Sequence, residues 1–343
     1  MRNDRIDALK GLAILSVVVA HSVLITYGTK EIPILGYADA YMIPLFVFLS
    51  GWVLYYGKSC MDTRWIADKA VRLLVPFLCW MPITYVVGTM EHFSPQRVFF
   101  DHSEGLVGYV LRSILYPGNG LWFLWALFML YVIVVLMQPL KRKIGDAAYL
   151  VTWGLLNTLP STELFCLGNL KTLFMFFTLG YLVNKHQERL QCFALPFQVA
   201  TVPLFLMLGW YWNSGNVLGF SLSANALLLE GYRYTTSLFG IGAAFLLARL
   251  VRSMSQLNSA LIGIGSVSLE IYCIHVSLIS NGLGDGLLRV GSILAISFVT
   301  VFTFLYIVGW LPLLNLLLFG INRAKPRISL LSRLSGERGL IRQ

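Results

Sequence analysis

Apolar residues run along this chain in blocks longer than a soluble helix needs. The first block, Gly11 to Thr29, is 19 residues without a formal charge, enough to cross a bilayer core. Comparable blocks follow near 40–57, 73–90, 121–140, 146–162, 165–183, 192–212, 234–248, 259–280 and 291–319. The pattern predicts an all-α, polytopic integral membrane protein of about ten transmembrane helices. The fifth and eighth blocks are short, and the tenth is interrupted at Gly309 and Pro312. Residues 1–320 read as one transmembrane domain and 321–343 as a short basic cytoplasmic tail. The longest outer connection, Glu91 to Gly120, carries Glu91, His92, Arg97, Asp101, His102, Glu104 and Arg112; it is too polar for a span and predicts an interfacial helix and loop. Asn213 to Arg233 reads as a second outer loop. Lys58 to Arg72 reads as a cationic inner loop with Trp65 at interface depth.

Composition agrees. The 343 residues are 57% hydrophobic and 12% charged, with a mean hydropathy of +0.73, whereas soluble domains carry about 25% charged residues. The net charge of +10 is therefore a topological signal, and no nucleic-acid partner is expected. With the N-terminus inside, only Lys30, Arg97, Arg112, Lys171, Arg233 and Arg289 fall outside, so 20 of the 26 cations lie in cytoplasmic segments. This bias supports ten spans with both termini cytoplasmic. The first block is too long for a cleaved signal peptide and lacks a small-residue cleavage site. Cys60, Cys79, Cys166, Cys192 and Cys273 are scattered over both sides and the membrane, which implies no disulfide framework.

Within the first block one polar stripe stands out. At 100° per residue Lys10 and His21 are about 20° apart in phase and roughly 16 Å apart along the axis, with Asp7 about 40° to the other side. His21 then lies about halfway through the apolar core, where a titratable group needs a partner or a water-filled cavity. Neutral imidazole there can act as a base or accept an acyl group; the alternative is a packing histidine with Asp7 and Lys10 as interfacial anchors. Lys69 and Arg72, three apart before Pro76, share a helix face and suit phosphate groups at the inner surface, or serve as ordinary positive-inside anchors. Ser268, Tyr272 and His275 share one face of the ninth block, as a second polar site or a packed seam, and Glu270 points elsewhere. Phe46 to Trp52 is a small-residue notch among aromatics. His92, His102 and His186 are loop residues, and no metal-ligand spacing or nucleotide fingerprint is present.

Taken together, these segments resemble the bacterial membrane acyltransferase 3 family, the O-acetyltransferases of surface glycans. The matching elements are Ile6 to Gly11 with His21, Met42 to Gly51, Lys69 and Arg72 with Pro76, Leu121 to Leu124, Phe177 to Tyr181, and Ser268 to His275. They occur in the family's order and span most of the chain. The resemblance implies ten helices in the bacterial inner membrane. It implies a cytoplasmic acyl-CoA donor, with no permanently bound cofactor, and a glycan or lipid-linked sugar acceptor reached from the other side, within membrane lipid. It makes His21 the essential histidine and Lys69 and Arg72 the donor-binding pair; for Lys10 and Ser50-Gly51 it gives motif membership alone. The chain departs from the family in carrying Lys10 and Lys69 where arginine is usual, and lysine lacks the bidentate fork. Relatives with an extracytoplasmic esterase-like domain imply that this chain acts alone or with a separate partner. From another class, a secondary transporter or flippase of a small or lipid-linked substrate also fits ten spans with buried ionisable groups.

Overall fold

The computed structural model describes residues 3–56, 63–90, 105–117, 120–217, 220–222 and 225–321. Lys58 and Cys60, the polar stretch 91–104 with His92 and His102, and the basic tail from 322 onward lie outside the described residues. Among the described residues the architecture is helical, apart from a two-residue antiparallel pairing of 216–217 with 220–221.

Helix α1 (Asp4–Tyr27) begins where the Asn3 side chain accepts from the Arg5 and Ile6 amides and ends at Gly28 in the left-handed conformation. Then come α2 (Pro33–Leu54) and α3 (Thr63–Val87), with Pro44, Pro76 and Pro82 inside them. Prolines of this kind are tolerated in membrane helices because neighbours re-satisfy the freed carbonyls. The ten-residue α4 (Leu106–Leu115) is the helix expected in the long connection 91–120; its Tyr109 hydroxyl lies 2.9 Å from Thr84 of α3. Next are α5 (Trp122–Leu136), α6 (Gln138–Ile144), α7 (Ala147–Thr158), α8 (Leu167–Lys185) and α9 (Gln187–Gly209). The chain closes with α10 (Ala226–Val251), α11 (Ser255–Gly265), α12 (Ser268–Ser277), α13 (Gly286–Gly309) and α14 (Pro312–Phe319).

Six of these helices are long and apolar enough to cross a membrane, and the number rises to eight if each of two bent pairs forms one span. The predicted fifth span is α7, only 12 residues long, which is short for a ~30 Å core. The eighth is not short. Asn225 caps the Leu227 and Leu228 amides, so α10 runs 26 residues and takes in Glu230 and Arg233, which the charge pattern had assigned to a loop. The interruption expected at Gly309 and Pro312 is where α13 ends and α14 starts. Pro139 follows the bend of 49° between α5 and α6, because its ring removes a helical amide donor.

The predicted ninth span is broken. Helices α11 and α12 meet at 70°. At the break the Ser266 hydroxyl donates to the Gly263 carbonyl at 2.7 Å, satisfying an acceptor that a continuing helix would have bonded.

Contacts divide the chain into two compact units, which it enters and leaves at 49–50, 182–183 and 268–269. In the first, α1 packs along α11 and α10, around Ala8, Val251, Leu261 and Ile262, and α9 packs on α10. In the second, α3 packs against α5, α4 and α14, and Trp80, Phe174, Phe176 and Phe177 are fully buried.

Candidate functional site

In the first unit, α1 is uninterrupted, so Asp7, Lys10 and His21 keep helical phase along one rod. Lys10 and His21 stay about 20° apart and roughly 16 Å apart along the axis. Asp7 is buried; Lys10 and His21 are half-buried. The N-terminal part of this rod is held by a glycine crossing. A β-carbon on Gly11 would overlap the Leu261 carbonyl, and one on Gly265 would overlap the Asp7 carbonyl and come 2.6 Å from the Gly11 amide nitrogen. The two backbones touch because neither residue carries a side chain. Arg5, six residues before Gly11, lies with its guanidinium 5.1 Å from the centre of the Phe245 ring on α10.

In the second unit, Lys69 and Arg72 share a face of α3 but have different surroundings. The Lys69 ammonium sits 5.2 Å from the centre of the Trp65 ring and 5.0 Å from that of Tyr131. The two rings meet edge to face. Tyr131 is itself hydrogen-bonded to Ser50 and packs on Phe177. Gly51, next to Ser50, lets α2 lie directly against the Phe177 carbonyl of α8. The predicted notch is thus a close helix approach that sets the rear wall of the Lys69 cage.

Arg72 is clamped. Its Nη1 donates to the Phe319 carbonyl at 2.6 Å, at the C-terminus of α14, and its Nη2 lies 3.3 Å from Glu270 Oε1. The Glu270 side chain is 2% exposed and that of Arg72 33%. The guanidinium therefore joins α3 to a helix C-terminus, where cations are favoured, and to the first turn of α12, just after the break. Glu270 escaped the sequence reading as a site residue. The available signal was a carboxylate in an apolar block, which requires a cation from another helix.

The remaining polar residues of α12 do not converge on one point. The Tyr272 hydroxyl donates to the Gly120 carbonyl at 2.7 Å. His275, 1% exposed, holds Nδ1 3.0 Å from the Ile271 carbonyl of its own helix. Since a carbonyl only accepts, this contact places a proton on Nδ1. Ser268 is half-buried at the helix start. Among the described residues no cluster of three or more His, Cys, Asp or Glu side chains is arranged to hold a metal.

Comparison with known proteins bears on this arrangement. The profile of a family described as an acyltransferase domain matches residues 3–314. Nodulation protein NolL of Sinorhizobium fredii (strain NBRC 101917 / NGR234) is 30% identical over 200 residues, 54% of this chain and 50% of that protein. The chain thus spans about half the length of this curated relative. No solved structure matches.

Proposed function

The chain belongs to the acyltransferase 3 family, whose domain covers residues 3–314, and from that premise we propose that it moves an acyl group, acetyl in the first instance, from cytoplasmic acyl-CoA to a hydroxyl of a cell-surface polysaccharide or lipid-linked sugar. Family membership makes it an acyltransferase and favours the enzyme over the transporter. Its apolar helices make it a membrane protein. We assign it to the bacterial cytoplasmic membrane with both termini inside, on the strength of the charge bias.

The observation that supports the proposal is the unbroken α1, which brings an imidazole and two charged groups into one line from its first turns to its last third. In this reading the donor's phosphates meet Lys69 and Arg72 at the inner surface, and its pantetheine arm reaches inward. The acyl carbon leaves the thioester sulfur and bonds to the acceptor oxygen; the hydroxyl proton ends on the CoA thiol. His21 either relays that proton or holds the acyl group between the two half-reactions. Asp7 and Lys10 orient it.

Labelled acetyl-CoA, a sugar acceptor and purified protein test the proposal. Wild type is expected to release CoA and label the acceptor, and His21→Ala to do neither while remaining folded. Transfer retained by His21→Ala at normal abundance overturns the role of His21. Without acceptor, label on wild type and not on His21→Ala identifies the covalent route; transfer without protein labelling identifies the direct one.

A further inference from the structure

The charge bias accounts for Lys141 only as an anchor, yet its surroundings are those of a built site. Lys141 lies on α6, and its ammonium donates to the Tyr149 hydroxyl at 3.0 Å and to the Tyr181 hydroxyl at 2.9 Å. The same nitrogen lies 4.9 Å and 4.2 Å from the centres of those two rings. Tyr149 is fully buried, Tyr181 nearly so, and the two rings lie tilted against each other with their centres 5.0 Å apart. Tyr55, four residues after Gly51, closes on Tyr181 edge to face.

This environment fixes the ammonium without neutralising it. Hydroxyl oxygens and ring faces attract a cation but bring no formal negative charge. The two tyrosine hydroxyls take two of its three protons. A half-buried positive charge whose two hydroxyl partners are neutral attracts an anion of matching reach.

Position indicates which anion. Phe177 and Tyr181 are one turn apart on the same face of α8. Phe177 backs Tyr131 of the Lys69 cage, and Tyr181 forms the Lys141 cage. The two cages therefore share α8, through rings about 6 Å apart along it, with Tyr181 and the Lys141 cage nearer the end that carries Lys185, which the charge bias puts on the cytoplasmic side. A donor whose pantetheine points into the membrane presents its diphosphate first. Its ribose 3′-phosphate lies further toward the cytoplasm.

We infer that Lys141, held by Tyr149 and Tyr181, binds the ribose 3′-phosphate of the acyl-CoA donor while Lys69 and Arg72 meet the diphosphate. The inference rests on the donor named under Proposed function.

The test compares acetyl-CoA with 3′-dephospho-acetyl-CoA, using the full chain in nanodiscs. Wild type is expected to favour the phosphorylated donor roughly tenfold in kcat/KM, through KM, as one charge-assisted contact provides. Lys141→Gln should erase that preference and Lys141→Arg restore it. A preference unchanged in Lys141→Gln, or an equal loss on both donors, makes Lys141 structural and overturns the inference. Should Lys141→Gln not fold, inhibition of wild type decides: adenosine 3′,5′-bisphosphate must outcompete AMP, and equal inhibition overturns the assignment. Dependence on Lys141 that is the same for both donors and appears only in anionic lipid assigns the site to a headgroup instead. Wild type that uses acetyl-CoA without discrimination refutes the inference alone; wild type that uses neither donor refutes the donor reading beneath it.

Discussion

Removing either partner of the Arg72–Glu270 pair should not have equal consequences. Arg72→Ala withdraws the guanidinium from a carboxylate whose side chain is 2% exposed. Breaking a buried ion pair from that side leaves a charge that water cannot reach, and costs about 3–5 kcal/mol. The same substitution removes the donor to the Phe319 carbonyl, so α14 loses its tie to α3 as well. Glu270→Ala leaves a guanidinium that is 33% exposed and still bonded to Phe319; solvent reaches it, and the cost falls to about 1–2 kcal/mol. Glu270→Gln keeps an accepting oxygen and costs about 1 kcal/mol or less. Heating the purified variants in detergent and following the loss of monodisperse protein gives the order: wild type, Glu270→Gln, Glu270→Ala, Arg72→Ala, from most to least stable. In the double variant the penalty should fall below the sum of the single ones, because no stranded carboxylate remains. Arg72→Ala as stable as Glu270→Ala would refute the argument, since it rests on the unequal exposure of the two groups.

Other outcomes follow from the close helix approaches and from the charge bias. Gly265→Val forces a side chain into the Asp7 carbonyl and should cost at least ~2 kcal/mol; a variant that melts with wild type would mean that α1 and α11 separate easily. Gly51→Val should cost a similar amount by pushing α8 away from α2, and should lower apparent donor affinity by disturbing the Tyr131 wall; normal stability and an unchanged donor KM would disprove it. Single cysteines at 142 and 335, in a background without the native cysteines, should label from the cytoplasm and one at 100 from outside. Labelling of 142 and 335 from opposite sides would invert the later topology.

The first helix was legible because every cue for it is local: an uncharged run, polar residues in phase, Asn3 before it and Gly28 after it. The α13–α14 break was legible for the same reason, through Gly309 and Pro312. The start of α10 was not, because Glu230 and Arg233 look like loop residues when charge alone is counted; the Asn225 cap before Ala226 was the better guide. The break between α11 and α12 carries no proline. Ser266 bonds back to Gly263 there, a contact that periodicity does not report. Arg72 and Glu270 are 198 positions apart, and Lys141 draws on tyrosines from two other helices. A pattern read along one helix ranks residues by their own face, whereas these sites are made where faces from different helices meet. Arg72 was picked out for its charge, and its partners became visible only with the fold.

The clamp on Arg72 also bears on turnover. Substrate acyl-CoA and product CoA carry the same phosphates, so a cation that grips them tightly holds both alike and does nothing for the chemical step. An arginine already shared between a carboxylate and a helix terminus has less charge to offer an incoming phosphate. On the donor assignment proposed above, Glu270 moderates the hold on the spent nucleotide and so sets how quickly the inner surface empties for the next donor. Weakening Glu270 would then tighten CoA and slow the cycle, an enzyme saturating at lower donor concentration and turning over less often.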